Sequence, residues 1–292
     1  MSAEYPSDDI EAFKHSGKKV FNIYDVEKMR NSCRPPLFIG EVRGKAEKGK
    51  EALQNLKFHE TPQGELKMWE DVDKSINISN RYVISVDIGG RSASADYSVI
   101  CVIDRYWLIF GEKAVVVAEW CGHIRHDLLA WKSVQIAKYY NNALLVIESN
   151  TIETKDNDTD GDHSQYILEE IAFEYDNLYF RNAPADNIIE GKPKKWGFHT
   201  NRATKTAIID NLIRTVEEQA YVERDSATLD EFTTYEVKQN GSLGAIDGLH
   251  DDKLITRAIG LFVSNYKMDL PKEINLDELR YHRRNVGSAS TL

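Results

Sequence analysis

The chain has 292 residues, 41% of them apolar and 10% aromatic, which is enough to bury a sizeable core and excludes global disorder. No apolar run is long enough to span a bilayer, the start at Met1-Ser2-Ala3-Glu4 is not a signal peptide, and three scattered cysteines (Cys33, Cys101, Cys121) form neither a disulfide framework nor a zinc cluster, so a reducing cytosol is expected. A formal net charge of −10 is unfavourable for binding a polyanion, because phosphate affinity comes from Lys and Arg, which must therefore be concentrated locally or supplied by a partner.

Residues 1–80 are polar and rich in turn signals, with Arg34-Pro35-Pro36 and Pro62-Gln63-Gly64 as breaks, and read as an extended connecting arm. From Arg81 the pattern becomes orderly. Tyr82 to Ile88 is a buried strand, and Tyr97 to Tyr106 and Ala114 to Trp120 are β-rich runs that complete an antiparallel meander. Asp127 to Tyr140 has helical spacing, and Ala143 to Ile147 is a second buried strand. A crossover of this kind leaves the first and last strands parallel, with Asp87 and Glu148 at the same edge of the sheet. Helices are expected from about Ser164 to Tyr175 and from Ala203 to Ala220, the latter capped by Asn201, with a strand at Leu178 to Arg181 between them. Phe232 to Val237, Asn240-Gly241 and Leu243 to Ile246 read as a hairpin. Asp252 to Tyr266 has one apolar helical face, and the tail from 269 to 292 is polar. The expected class is α/β, with a mixed sheet flanked by helices.

Three acidic signatures stand out in this frame. Val83 to Asp87 and Leu144 to Glu148 are apolar runs that each end on one carboxylate, and Asp251-Asp252 opens the last helix. A carboxylate costs several kcal/mol to desolvate unless it is paired or binds a metal, so strand-terminal carboxylates point to a shared cation. Hard oxygen ligands suit Mg²⁺ or Mn²⁺. Asp96 is near enough in sequence to join Asp87 on the metal or to orient its ligands. Each residue also has a structural reading: Glu148 as a strand end, and Asp251 and Asp252 as helix-capping groups. Their combination favours catalysis.

Two other motifs are decoys. Gly44 to Lys50 has phosphate-loop spacing, but Glu51 replaces the required Ser or Thr, so it reads as a charged turn. Asp156 to Gly161 imitates a calcium loop, yet Ile167 stands where the bidentate Glu belongs. Basic clusters at Lys192-Pro193-Lys194-Lys195 and Arg280 to Arg284 are candidate phosphate contacts that read equally well as solvated charge.

In this order, Asp87-Ile88-Gly89-Gly90-Arg91, Asp96-Tyr97-Ser98, Ile147-Glu148-Ser149-Asn150 and Gly248-Leu249-His250-Asp251-Asp252 resemble the nuclease domain of the large terminase subunit, the DNA-packaging enzyme of tailed bacteriophages and prophages. Trp196-Gly197-Phe198-His199-Thr200-Asn201 ahead of a helix, the Asn240-Gly241 hairpin, and Glu4-Tyr5-Pro6-Ser7 near the start extend the likeness up to about Tyr266. The resemblance implies a ribonuclease H-like nuclease domain at 81–268, preceded by the 1–80 arm that follows an ATPase motor domain absent from this chain. It implies cleavage of double-stranded concatemeric DNA by two Mg²⁺ or Mn²⁺ ions about 3.5–4 Å apart. Asp87 would bridge both ions, Glu148 and Asp251 or Asp252 would hold one each, Asp96 would assist, and His250 would position water or phosphate. Arg91, Lys192, Lys194 and Lys195 are the candidate DNA contacts. The implied partners are double-stranded DNA, the ATPase domain, the small subunit and the portal, in the bacterial host cytosol. No ATP site is found in the chain, as expected of a nuclease fragment or a split gene product. Rival readings are a junction resolvase or transposase with the same carboxylate chemistry, an actin-like kinase, whose further glycine-rich segments are missing, and a non-catalytic assembly module of the packaging motor.

Overall fold

The structure, a computed structural model, describes residues 18–89, 96–149, 163–181, 195–238 and 240–274. It opens with helix α1 (Ile23–Arg30), capped by the Asn22 side chain, and strands β1 (Phe38–Arg43), β2 (Lys57–Glu60), β3 (Leu66–Met68) and β4 (Ile78–Ser79). Next come β5 (Tyr82–Asp87), β6 (Ser98–Asp104), β7 (Ala114–Gly122), α2 (His126–Tyr139) and β8 (Leu144–Ile147). The second half holds α3 (His163–Glu174), β9 (Phe180–Arg181), β10 (Lys195–Trp196), α4 (Arg202–Glu217), β11 (Tyr221–Val222), α5 (Ser226–Thr234), β12 (Tyr235–Val237), β13 (Leu243–Ala245), α6 (Asp252–Tyr266) and β14 (Lys272–Glu273).

One eight-stranded sheet organises the chain, in the order β2-β1-β3-β7-β6-β5-β8, with β11 pairing β7 in parallel. The expected meander is present, with β5, β6 and β7 antiparallel in sequence, and β8 returns parallel to β5. This mixed sheet with flanking helices is the ribonuclease H-like arrangement. Among the described residues no helix is long and apolar enough to cross a membrane.

The sheet extends beyond the expected boundary. Residues 38–68, expected to lie in a connecting arm, supply three strands, with β3 joining β7 through Leu66↔Trp120 and Met68↔Ala118. These strands are only three to six residues long and carry mixed burial, so they lack the apolar runs that mark β5 and β8. The hairpin also starts later than expected. Phe232 to Thr234 belong to α5, because burial of Leu229 and Phe232 among α1, α4 and α6 outweighs the strand preference of a Phe-Thr-Thr-Tyr run.

Every residue of β5 is buried, as a strand covered on both faces requires. Ile84 and Val86 face a core built with α2 and α3, around Trp120, Trp131 and Tyr140. Val83 and, on β8, Val146 face a second core with α1, α4, α5 and α6. Alternation then fixes the next positions: Asp87 and Glu148 lie on the α6 face of the sheet. Helix α6 packs close because it carries Gly260 at the crossing, where an added Cβ would come within 2.7 Å of Ser85 Oγ. The Ser85 hydroxyl donates to the Thr256 carbonyl at 2.7 Å, which fixes the helix against β5.

Candidate metal centre

Three segments converge at the C-terminal edge of β5 and β8. Asp87 ends β5, one position beyond the Val86↔Ile147 pair, and Glu148 follows β8. The backbone around Glu148 is tied on both sides. Its N–H donates to the Val86 carbonyl at 2.9 Å, while the Ser149 N–H donates to the Phe198 carbonyl and the Phe198 N–H to that of Ile147, both at 2.8 Å. Gly197 allows this approach: its φ is +83°, and a Cβ there would lie 2.8 Å from the Ile147 carbonyl oxygen. The Trp196-Gly197-Phe198 motif thus braces the end of β8.

Asp87 and Glu148 are each only 9% exposed. Burial pushes the Asp87 carboxyl well above its ordinary range, and the neighbouring Glu148, through charge and a side-chain hydrogen bond, then Asp252 and Asp251, push it the same way. A site of this kind favours either a proton or a cation.

The second group lies beside the first. A Cβ on Gly89 would come within 2.2 Å of the Asp96 carbonyl oxygen, so glycine is what lets the chain after Asp87 pass against the start of β6. His250 Nδ1 lies 3.2 Å from Asp96 Oδ1 and 3.7 Å from Asp252 Oδ2. Asp96, His250 and Asp252 each offer a ligand atom within 4.8 Å of the others. Asp252 is 6% exposed; burial raises its carboxyl to about 6 against the hydrogen bond its Oδ2 accepts from the Tyr97 N–H at 2.9 Å, with Asp96 and Asp251 adding repulsion.

Asp251 occupies the N-cap position of α6 but makes no capping bond with its side chain. The Leu254 N–H, which a cap would satisfy, donates instead to Glu231 Oε2 of α5 at 2.9 Å. The Asp251 carboxylate is thereby not needed as the cap, and the β12–β13 hairpin flanks it, since a Cβ on Gly244 would lie 3.9 Å from its Oδ2. Sequence reasoning did not find Glu231, because nothing in Leu229-Asp230-Glu231-Phe232 signals a cap for a helix twenty residues away. Nor did it find Tyr97, whose N–H holds Asp252 and whose ring stacks on His123 at 4.4 Å.

Burial raises the Glu231 carboxyl to about 8, against the Leu254 N–H and Lys253, with the Asp252 charge also raising it. A raised carboxyl favours the folded state fully below the unfolded value near 4.5, and that contribution is lost as pH rises towards 8. Glu231→Gln keeps the accepting oxygen and removes the titration. Its thermal unfolding profile is expected to be flatter than wild type by a few degrees between pH 5 and 8; an unchanged profile would contradict a protonated Glu231.

Of the candidate DNA contacts, Arg91, Lys192 and Lys194 lie outside the described residues, as do Asp156 to Gly161 and Arg280 to Arg284. Lys195 begins β10, paired with Arg181 of β9, and Phe198, three residues further on, bridges to Glu148.

No protein family and no curated protein matches the chain. Among solved structures, it is similar to the large terminase nuclease from thermophilic phage G20c with bound magnesium, with a TM-score of 0.50 and 16% identity over 84% of this chain and 96% of that one. The nuclease domain of the large terminase of Thermus phage P74-26 aligns with a TM-score of 0.48 and 17% identity, covering 86% of this chain and 97% of that one. The chain has the fold of the phage large terminase nuclease domain.

Proposed function

We propose that this chain is a metal-dependent endonuclease that cuts double-stranded concatemeric viral DNA during genome packaging. The observation that carries the reading is the convergence of Asp87 and Glu148 with Asp96, His250 and Asp252 at one sheet edge, in a chain with this fold. Carboxylate oxygens and one imidazole are a fitting donor set for Mg²⁺ or Mn²⁺, and the G20c nuclease holds magnesium.

Asp87, whose neighbours include Glu148, Asp252 and Asp251, would bridge two ions. Glu148 would hold one, and Asp252 with Asp251 the other, assisted by Asp96. Such ions neutralise a phosphodiester and acidify the attacking water. His250, held by Asp96, orients that water or the scissile phosphate. The ATPase domain, small subunit and portal are the proposed partners, and the host cytosol the proposed location. Residues 81–268 are the proposed catalytic unit, built onto the β1–β3 extension.

Supercoiled plasmid tests the reading, incubated with Mn²⁺, with Mg²⁺ and with EDTA. Nicked and linear products in either metal, absent in EDTA, are expected. Intact plasmid in both metals would favour a non-catalytic assembly module.

A further inference from the structure

The β1–β2 connection is a locally basic stretch of an acidic protein. Between Arg43 and Lys57 it has five basic side chains (Arg43, Lys45, Lys48, Lys50, Lys57) against Glu47 and Glu51, in a chain of net charge −10. All five basic residues are exposed. A charge run of this sort is ordinarily a solvated surface, but here the loop is held by the core. Gln135 of α2, itself 4% exposed, donates through Nε2 to the carbonyls of Ala46 and Ala52, both at 3.1 Å. The Lys45 N–H donates to the Gln54 carbonyl, Ala52 and Leu53 are buried beneath, and a Cβ on Gly44 would meet the Ala52 carbonyl oxygen at 1.9 Å. The lysines are therefore presented from a fixed backbone.

The register places this loop on the acidic edge. Asp87 pairs with Val99, Ser98 with Gly122, Trp120 with Leu66, and Leu66 with Gly40, so the C-terminal end of β1 and the start of β2 emerge at the same edge as Asp87. Four strand spacings separate β1 from β5, about 19 Å at ~4.8 Å each. That is a little over half of the ~34 Å turn of B-DNA. The loop is also tied to the start of α2, on the sheet face opposite α6. Lys48 pairs with Asp127 at the start of α2, Arg125 shares that carboxylate, and the adjacent His126 ring lies 3.2 Å from the Gly89 carbonyl oxygen.

We propose that this β1–β2 loop, with Arg43, Lys45, Lys48, Lys50 and Lys57, is a docking surface for the phosphate backbone of duplex DNA. It rests on the nuclease reading and supplies the local positive charge which the chain's net charge withholds. It holds the duplex within the same helical turn as a phosphodiester at Asp87. The contacts are to phosphates and carry no base preference.

The test uses the full chain and a 30-base-pair duplex in Ca²⁺, followed by fluorescence anisotropy over a range of salt. Lys45→Gln/Lys48→Gln/Lys50→Gln is expected to bind at least tenfold more weakly at 0.1 M salt. Its slope of log affinity against log salt should be shallower by about 2.7, or ~0.9 for each lost phosphate contact. Lys45→Gln/Lys50→Gln, which keeps the Lys48–Asp127 pair, should be shallower by about 1.8. Mn²⁺-dependent hydrolysis of bis(4-nitrophenyl) phosphate, which needs no docking surface, is expected to match wild type in both variants. Slopes equal to wild type in both would overturn the proposal. Failure of the nuclease reading is distinguishable, because wild type itself would then leave the small diester intact whatever the anisotropy shows.

Discussion

Asp87→Asn is expected to make the metal-free protein more stable while abolishing its activity. In the absence of cations Asp87 is a buried carboxylate facing Glu148, Asp252 and Asp251, and its raised affinity for a proton records the strain of ionising it there. A raised carboxyl contributes stability below its unfolded value near 3.8, and that contribution is lost as pH climbs. Near pH 7.5 in EDTA the asparagine variant, equal in shape and uncharged, should therefore unfold at a higher temperature than wild type. A relief of about 1–3 kcal/mol corresponds to a few degrees in a chain of this size. Addition of Mn²⁺ should reverse the order: an ion at a hundred times its dissociation constant stabilises wild type by about 2.7 kcal/mol. The variant should lose that gain, and its plasmid cleavage should fall by about 10³-fold, several kcal/mol of transition-state stabilisation at ~1.36 kcal/mol per factor of ten. Differential scanning fluorimetry with and without Mn²⁺ checks the first part and plasmid cleavage the second. A variant less stable than wild type in EDTA would assign Asp87 a structural role.

Arg257→Met is expected to have the largest effect on stability. Arg257, Glu119 and Glu223 are all fully buried. The guanidinium meets Glu223 with two bonds, both 3.1 Å, and Glu119 at 2.6 Å, while Lys253, one turn earlier on α6, joins Glu119 to Asp225. Removing the arginine leaves Glu119 in the core with Lys253 and strips Glu223 of its guanidinium partner. Breaking a buried pair from one side costs about 3–5 kcal/mol, which lowers the melting temperature by roughly ten degrees. The double variant Arg257→Met/Glu223→Met, which removes both charges, should recover part of that loss. A fall of under two degrees in the single variant would show that the network is dispensable. Because α6 starts at Asp252, with Asp251 as its N-cap residue, a loosened helix should weaken Mn²⁺ affinity together with stability.

Strand and helix periodicity made the centre of the molecule legible. The runs ending at Asp87 and Glu148 are buried on both faces, and a doubly covered strand is nearly all apolar, so the lone carboxylate at each end stands out. The apolar stripe of α6 is equally plain and places Asp252 at its start. What the sequence concealed depends on tertiary packing. The strands at 38–68 are short and half-buried, with no periodicity to announce them. Helix α5 forms from residues that favour strands, because Leu229 and Phe232 fill the core. Asp251 reads as a cap, but the structure gives that work to Glu231, which only folding brings alongside. The charges of Glu119, Glu223 and Arg257 are unremarkable along the chain and become a buried network only when β7, the residue after β11 and α6 meet. The Gly44 to Lys50 run was legible as a charged turn, and its place on the acidic edge follows from the register of four strand pairs.

The most direct measurement is a Mn²⁺ titration of wild type and Asp87→Asn followed by electron paramagnetic resonance, which counts free and bound ions. Two bound ions per wild-type chain and at most one in the variant are the expected result. Equal stoichiometry in the two proteins would contradict a bridging carboxylate at Asp87 and the two-ion centre built around it.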